Sequence, residues 1–170
     1  MKRSAILYLT IGALLLFFTA PSTLWSNSIS DYTVYDLKGE GHQLSDILAE
    51  LPDNELLILS FNSIYNDPCE KVIPELLKIE NESAHVKLVF IFIDDAKIAA
   101  SIADKCNIYD RSYVDKWSSI NSYFKVISVP SAVVLNRSSK MLGCFEFHTN
   151  ENVELIKKLV AKKKQEESCK

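Results

Sequence analysis

The sequence predicts an α/β domain with a central mixed β-sheet, helices on both faces and an N-terminal β-hairpin extension. Two near-continuous apolar runs, at 55–61 and 86–93, have the pattern of strands covered by helices on both faces. Between them, residues 67–80 space Val72, Ile73, Leu76, Leu77 and Ile79 at helical intervals, so this stretch reads as strand-helix-strand with parallel strands. Two further apolar stretches, 132–135 and 141–147, flank turn-forming residues 136–140 and read as a hairpin.

The other elements fall into place around these. Met1-Lys2-Arg3 is a short basic start before an uncharged run that ends at Ala20-Pro21, the pattern of an export signal. As a helix, residues 5–20 would be roughly 24 Å long, short of a hydrocarbon layer of roughly 30 Å, which favours a cleaved signal over a permanent anchor. Small residues at Ala20-Pro21-Ser22 and at Ser26-Asn27-Ser28 offer two cleavage points. Residues 1–28 therefore read as a signal peptide or N-terminal anchor, 29–165 as one domain and 166–170 as a tail. Residues 32–37 alternate as a short strand, stop at Lys38-Gly39-Glu40-Gly41, and lead into a helical turn at 44–48. Residues 95–106 read as a second helix and 151–164 as a final one.

Composition limits the function classes. The chain has 170 residues, with 19 Lys plus Arg against 22 Asp plus Glu and a net charge of −3. Losing Lys2 and Arg3 with the leader would make the remainder more acidic still. Nucleic acid, which needs a basic excess to neutralise phosphates, is excluded as a partner, and contact with a membrane is expected only through an uncleaved N-terminal segment. Four cysteines in an exported chain raise the question of disulfides, but Cys69, Cys106, Cys144 and Cys169 have neither metal-site nor redox-pair spacing, and their pairing stays open. His42, His85 and His148 are scattered and read as solvated side chains, so neither a metal nor a cofactor is expected.

The segment from Phe61 to Leu76 carries the chemistry: Phe61-Asn62-Ser63-Ile64-Tyr65-Asn66-Asp67-Pro68-Cys69, then a helix containing Pro74. Taken with Asp36-Leu37-Lys38-Gly39, Leu44-Ser45-Asp46 and Val129-Pro130, it resembles exported thioredoxin-fold proteins of the TlpA and ResA type, within the broader redoxin group. The resemblance spans about residues 31–164. It implies a thioredoxin-like fold, a thiol-disulfide oxidoreductase ancestry and, if the cell is bacterial, a location in the periplasm or on the outer face of the membrane.

That family carries two cysteines two residues apart, the first attacking a substrate disulfide and the second resolving the mixed disulfide. Here Asn66 stands at the first position and only Cys69, at the resolving position, remains. An amide cannot attack sulfur, so the two-thiol cycle has no nucleophile. By the same resemblance Tyr65 replaces a tryptophan, Val72 replaces a proton-moving glutamate, and Pro130, after Val129, corresponds to a cis-proline that aligns an extended substrate.

Asp67, Pro68 and Glu70 also satisfy an ordinary helix start, with a cap, a first-turn proline and a capping-box glutamate. Cys69 gains only a few tenths to one kcal/mol of thiolate stabilisation from the helix dipole, while Asp67 and Glu70 oppose it. One reading is a degenerate site, formed by Tyr65, Asn66, Asp67, Pro68, Val129 and Pro130, that binds a protein or peptide in the cell envelope with little or no dithiol turnover. The alternative is a one-cysteine redox enzyme, a thiol oxidoreductase or peroxidase, in which Cys69 is catalytic. Peroxiredoxins also place an essential cysteine at this helix start, but the Pro and Thr that precede it there correspond here to Asn62 and Asn66. A purely structural or chaperone-like envelope protein is a third possibility.

Overall fold

The computed structural model describes residues 29–66, 68–147 and 151–168, without the side chains of 30, 68–70, 164 and 166–168. Residues 1–28, read from the sequence as a signal peptide or N-terminal anchor, lie outside the described residues. In chain order the elements are β1 (Thr33–Asp36), β2 (Gly41–Gln43), α1 (Leu44–Ala49), β3 (Leu56–Asn62), α2 (Pro68–Glu82) and β4 (Val86–Phe92). Then come α3 (Ala96–Lys105), β5 (Ser112–Val114), α4 (Ser119–Tyr123), β6 (Ser131–Asn136), β7 (Met141–Glu146) and α5 (Glu151–Ser168). The seven strands form one mixed sheet in the order β2-β1-β5-β4-β3-β6-β7.

β3 is the central element. Every residue of it is buried, and it pairs parallel to β4, from Leu56 opposite Val86 to Asn62 opposite Phe92. Its other edge pairs antiparallel to β6, with Phe61 opposite Ser131. Side chains alternate across a strand, so one face of the sheet sets Leu56 and Ile58 against Ile73 and Leu76 of α2, Ala99 of α3 and Ile156 of α5. The opposite face sets Leu57, Leu59 and Phe61 against Leu44 and Ile47 of α1, Ile120 of α4 and Phe124 just after it. This two-sided burial is why the strand sequences are continuously apolar.

The expected parallel strands, the two hairpins and the helices at 67–80, 95–106 and 151–164 all occur, with ends shifted by a few residues. α5 continues to Ser168, so the helix takes in the first residues of the stretch read as a tail. Two elements were not expected from the sequence: β5, of three residues, and α4, of five. Both are short, and they are held by tertiary partners rather than by periodicity. β5 is sandwiched between β1 and β4.

α4 is fixed by Asp115, a buried carboxylate that accepts N–H bonds from Ser119, Ile120 and Asn121 at 2.9–3.0 Å and the Ser119 hydroxyl at 3.0 Å. Among the described residues no helix is long and apolar enough to cross a membrane. Asp115→Ala orphans three helix N–H groups and is expected to cost on the order of 2 kcal/mol. Urea denaturation measures that loss, and faster amide exchange confined to residues 119–123 would localise it.

Candidate functional site

The loop that follows β3 is pinned before α2 begins. Asp94, just past the end of β4, accepts the Ser63 hydroxyl at 3.1 Å through Oδ1 and the Ile64 N–H at 2.9 Å through Oδ2. Tyr65 N–H reaches Ser63 Oγ at 3.3 Å, and Asn66 N–H reaches the Ser63 carbonyl at 3.3 Å, closing a tight turn. The Ile93 N–H donates to the Asn62 carbonyl at 3.1 Å, so the ends of β3 and β4 hold each other. Beneath the loop, Asn62 is buried and its Nδ2 donates to the Ser60 carbonyl and hydroxyl.

Across the site lies the segment that enters β6. The Val129–Pro130 peptide bond is cis, and the Pro130 carbonyl accepts the Phe147 N–H at 2.9 Å. Asn66 Nδ2 donates to the Val129 carbonyl at 2.7 Å, at the short end for an N–H···O bond. A carbonyl oxygen can only accept, so this contact requires the NH₂ group of Asn66 to face Val129. The structure thus brings Asn66, Val129 and Pro130 together and leaves Tyr65 78% exposed beside them.

Pro68 and Cys69 are the first two residues of α2, so Cys69 sits in the N-terminal turn of a long helix. Its side chain, those of Pro68 and Glu70, and the whole of Asp67 lie outside the described residues, as do Cys169 and His148. Val72 is buried in the core and offers no polar group to the site. The other cysteines are remote in the fold: Cys106 is half-buried at the end of α3, and Cys144 is exposed on β7. The Cys144 thiol is pushed up by partial burial and then by the Glu146 carboxylate, which makes it a weak nucleophile.

Three contributors were not read from the sequence. Asp94 orders the loop from a neighbouring strand, a relation that depends on sheet topology. Trp117, beyond β5, and Ile127, before β6, are 76% and 89% exposed at the same end of the sheet as Tyr65. Large apolar side chains standing in water around a site are a mark of recognition surfaces. The available signal was a tryptophan set among polar residues at 115–119; Ile127, beside Val126, gave none.

No family model matches the chain, and no curated protein matches it. Solved structures do. A thiol-disulfide oxidoreductase from Bacteroides fragilis is 20% identical with a TM-score of 0.60, covering 75% of this chain and 96% of that one. A thioredoxin-like protein from Aeropyrum pernix is 15% identical with a TM-score of 0.61, covering 92% and 99%. StoA from Bacillus subtilis is 16% identical with a TM-score of 0.55, covering 75% and 93%. The chain therefore has the thioredoxin-like α/β fold, with a central mixed sheet and helices, that it shares with these structures.

Asn66→Asp tests the bond to Val129 through its pH dependence. A carboxylate facing a carbonyl is disfavoured, so the folded chain raises the pKa of the new side chain above its unfolded value of about 3.9. Protonated, the acid can still donate to Val129. A raised folded-state value means the interaction is present below pH about 3.9 and is lost as the pH rises through the raised value. The variant should match the parent closely at pH 3 and fall behind it by on the order of 1–3 kcal/mol at pH 7 in urea melts. Equal deficits at both pH values would count against the bond.

Proposed function

We propose that the chain is an exported thioredoxin-fold protein whose site has lost its attacking sulfur, and that it binds a protein or extended peptide in the cell envelope with little or no dithiol turnover. The observation that carries this reading is the 2.7 Å bond from the Asn66 amide to the Val129 carbonyl. Where the resemblance places a nucleophile, the chain instead uses a neutral donor to tie the helix-entry loop to the cis-proline segment. The amide has no electron pair that displaces sulfur from sulfur, so it cannot start an exchange. What it can do is hold two loops in a fixed relation, which lowers the ordering cost of binding at their shared rim.

The exposed rim suits that role. Tyr65, Trp117 and Ile127 stand in water, and aromatic side chains of this kind supply much of the affinity of protein interfaces. Cys69, at the start of α2, gains only a modest dipole contribution and has no neighbouring thiol at the two-residue spacing.

Replacing the amide with a thiol provides the test. The parent chain should show no multiple-turnover reduction of a disulfide-bonded protein such as insulin, whereas Asn66→Cys, with two residues between its sulfurs, should gain turnover at least tenfold above the parent. Multiple turnover by the parent that is abolished by Cys69→Ser would overturn the binding reading. Peroxide consumption by the parent that is lost in Cys69→Ser would establish the one-cysteine enzyme in its place.

A further inference from the structure

The N-terminal hairpin holds a group of side chains that the site around Asn66 does not use. One ligand atom each from Asp36, Glu40 and His42 lies within 4.8 Å of the other two. The turn that presents them is well defined. Asp36 Oδ1 accepts the N–H groups of Lys38 at 2.9 Å and Glu40 at 2.8 Å, and Gly39 takes the left-handed conformation at φ +95° that a side chain would resist.

The second carboxylate oxygen, Asp36 Oδ2, faces His42 Nε2 at 3.5 Å, beyond a good N–H···O bond. His42 Nε2 itself is sealed from solvent and makes no well-formed hydrogen bond, its contact with Asp36 being an ion pair only when the ring is protonated, although the ring as a whole is partly exposed. This differs from the solvated histidine expected from the sequence, and a buried nitrogen without a partner is costly unless something else satisfies it. Tyr113 covers the ring edge-on at 5.5 Å.

We propose that Asp36, Glu40 and His42 form a three-donor site for a divalent cation of the Zn²⁺ class, with water completing its shell. Bonds of about 2.1 Å at tetrahedral angles set two donors about 3.4 Å apart, a spacing that the 3.5 Å between His42 Nε2 and Asp36 Oδ2 already meets. Glu40 is exposed on the turn, and rotation of its side chain closes the remaining distance. Two carboxylates balance the charge of the cation. One imidazole beside them favours zinc-like ions over calcium and magnesium, which prefer all-oxygen shells. The cation takes the Nε2 lone pair, which a proton otherwise competes for, and no other bond changes. The site lies on the β1–β2 hairpin at the edge of the sheet, with β5 and β4 between it and β3, and is independent of the chemistry at Asn66.

The test uses the full chain and the metal alone. Zn²⁺ titrated calorimetrically should saturate one site per chain, and Glu40→Gln and His42→Ala should each weaken it at least tenfold. Glu40→Gln lies on an exposed turn and keeps the result readable if His42→Ala folds poorly. Co²⁺ in place of Zn²⁺ should give a ligand-field spectrum without a thiolate charge-transfer band. Failure of saturable binding, unchanged affinity in Glu40→Gln or in a folded His42→Ala, or a thiolate band that assigns the ion to cysteine, would each overturn the site.

Discussion

The position of β3 between a parallel and an antiparallel neighbour determines where the functional groups meet. Its carboxyl end emerges beside the carboxyl end of β4 and the amino end of β6, because Asn62 pairs with Phe92 and Phe61 with Ser131. The chain leaving β3 must therefore turn within a few residues of Asp94 on one side and of Val129 and Pro130 on the other. The bonds of Asp94 to Ser63 and Ile64, and of Asn66 to Val129, follow from that register. A slip of one residue would exchange the two faces of the strand and break the core on both sides. The site and the core are thus set by one pairing pattern.

The energetics at that junction favour rigidity over reactivity. A neutral amide-carbonyl bond contributes about 0.5–1.5 kcal/mol net, and the buried or half-buried acceptors around it would cost about 1–3 kcal/mol each if orphaned. The helix dipole offers a thiolate only about 0.3–1 kcal/mol when exposed, less than one pKa unit. These magnitudes give Asn66 a clear part in joining two loops. Around the junction Tyr65, Trp117 and Ile127 remain in water, the most exposed of the large apolar side chains among the described residues.

Much of this was legible in the sequence where one local rule dominates. β3 and β4 were readable because burial on both faces leaves an unbroken apolar run, and α2 because its apolar residues recur at helical spacing. Lys38-Gly39-Glu40-Gly41 marked the hairpin through turn chemistry alone. β5 and α4 were not readable, since three and five residues are too few for periodicity and their stability comes from neighbouring strands and from Asp115. At the site, the identity of Asn66 was plain, but its partner was not. The bond to Val129 links residues 63 apart in sequence, and Asp94 acts on Ser63 from 31 residues away. Contacts of that kind are properties of the sheet order, which no window along the chain contains.

A fold constrains a site without assigning its chemistry. The solved proteins of this shape share no more than 20% of their residues with the chain, so the likeness shows the fold and leaves the side chains at the site to be read from this chain itself. The two ends of this sheet illustrate the consequence. Near β3 and β6, the junction holds an amide. At β2, a turn that the fold needs only as a hairpin places a buried imidazole nitrogen beside two carboxylates. Nothing in the strand pairing requires either choice, because an alanine at 66 or at 42 would leave the backbone ladders intact. Side chains that the scaffold does not need, yet that are held in defined geometry, are where function has to be sought in this protein.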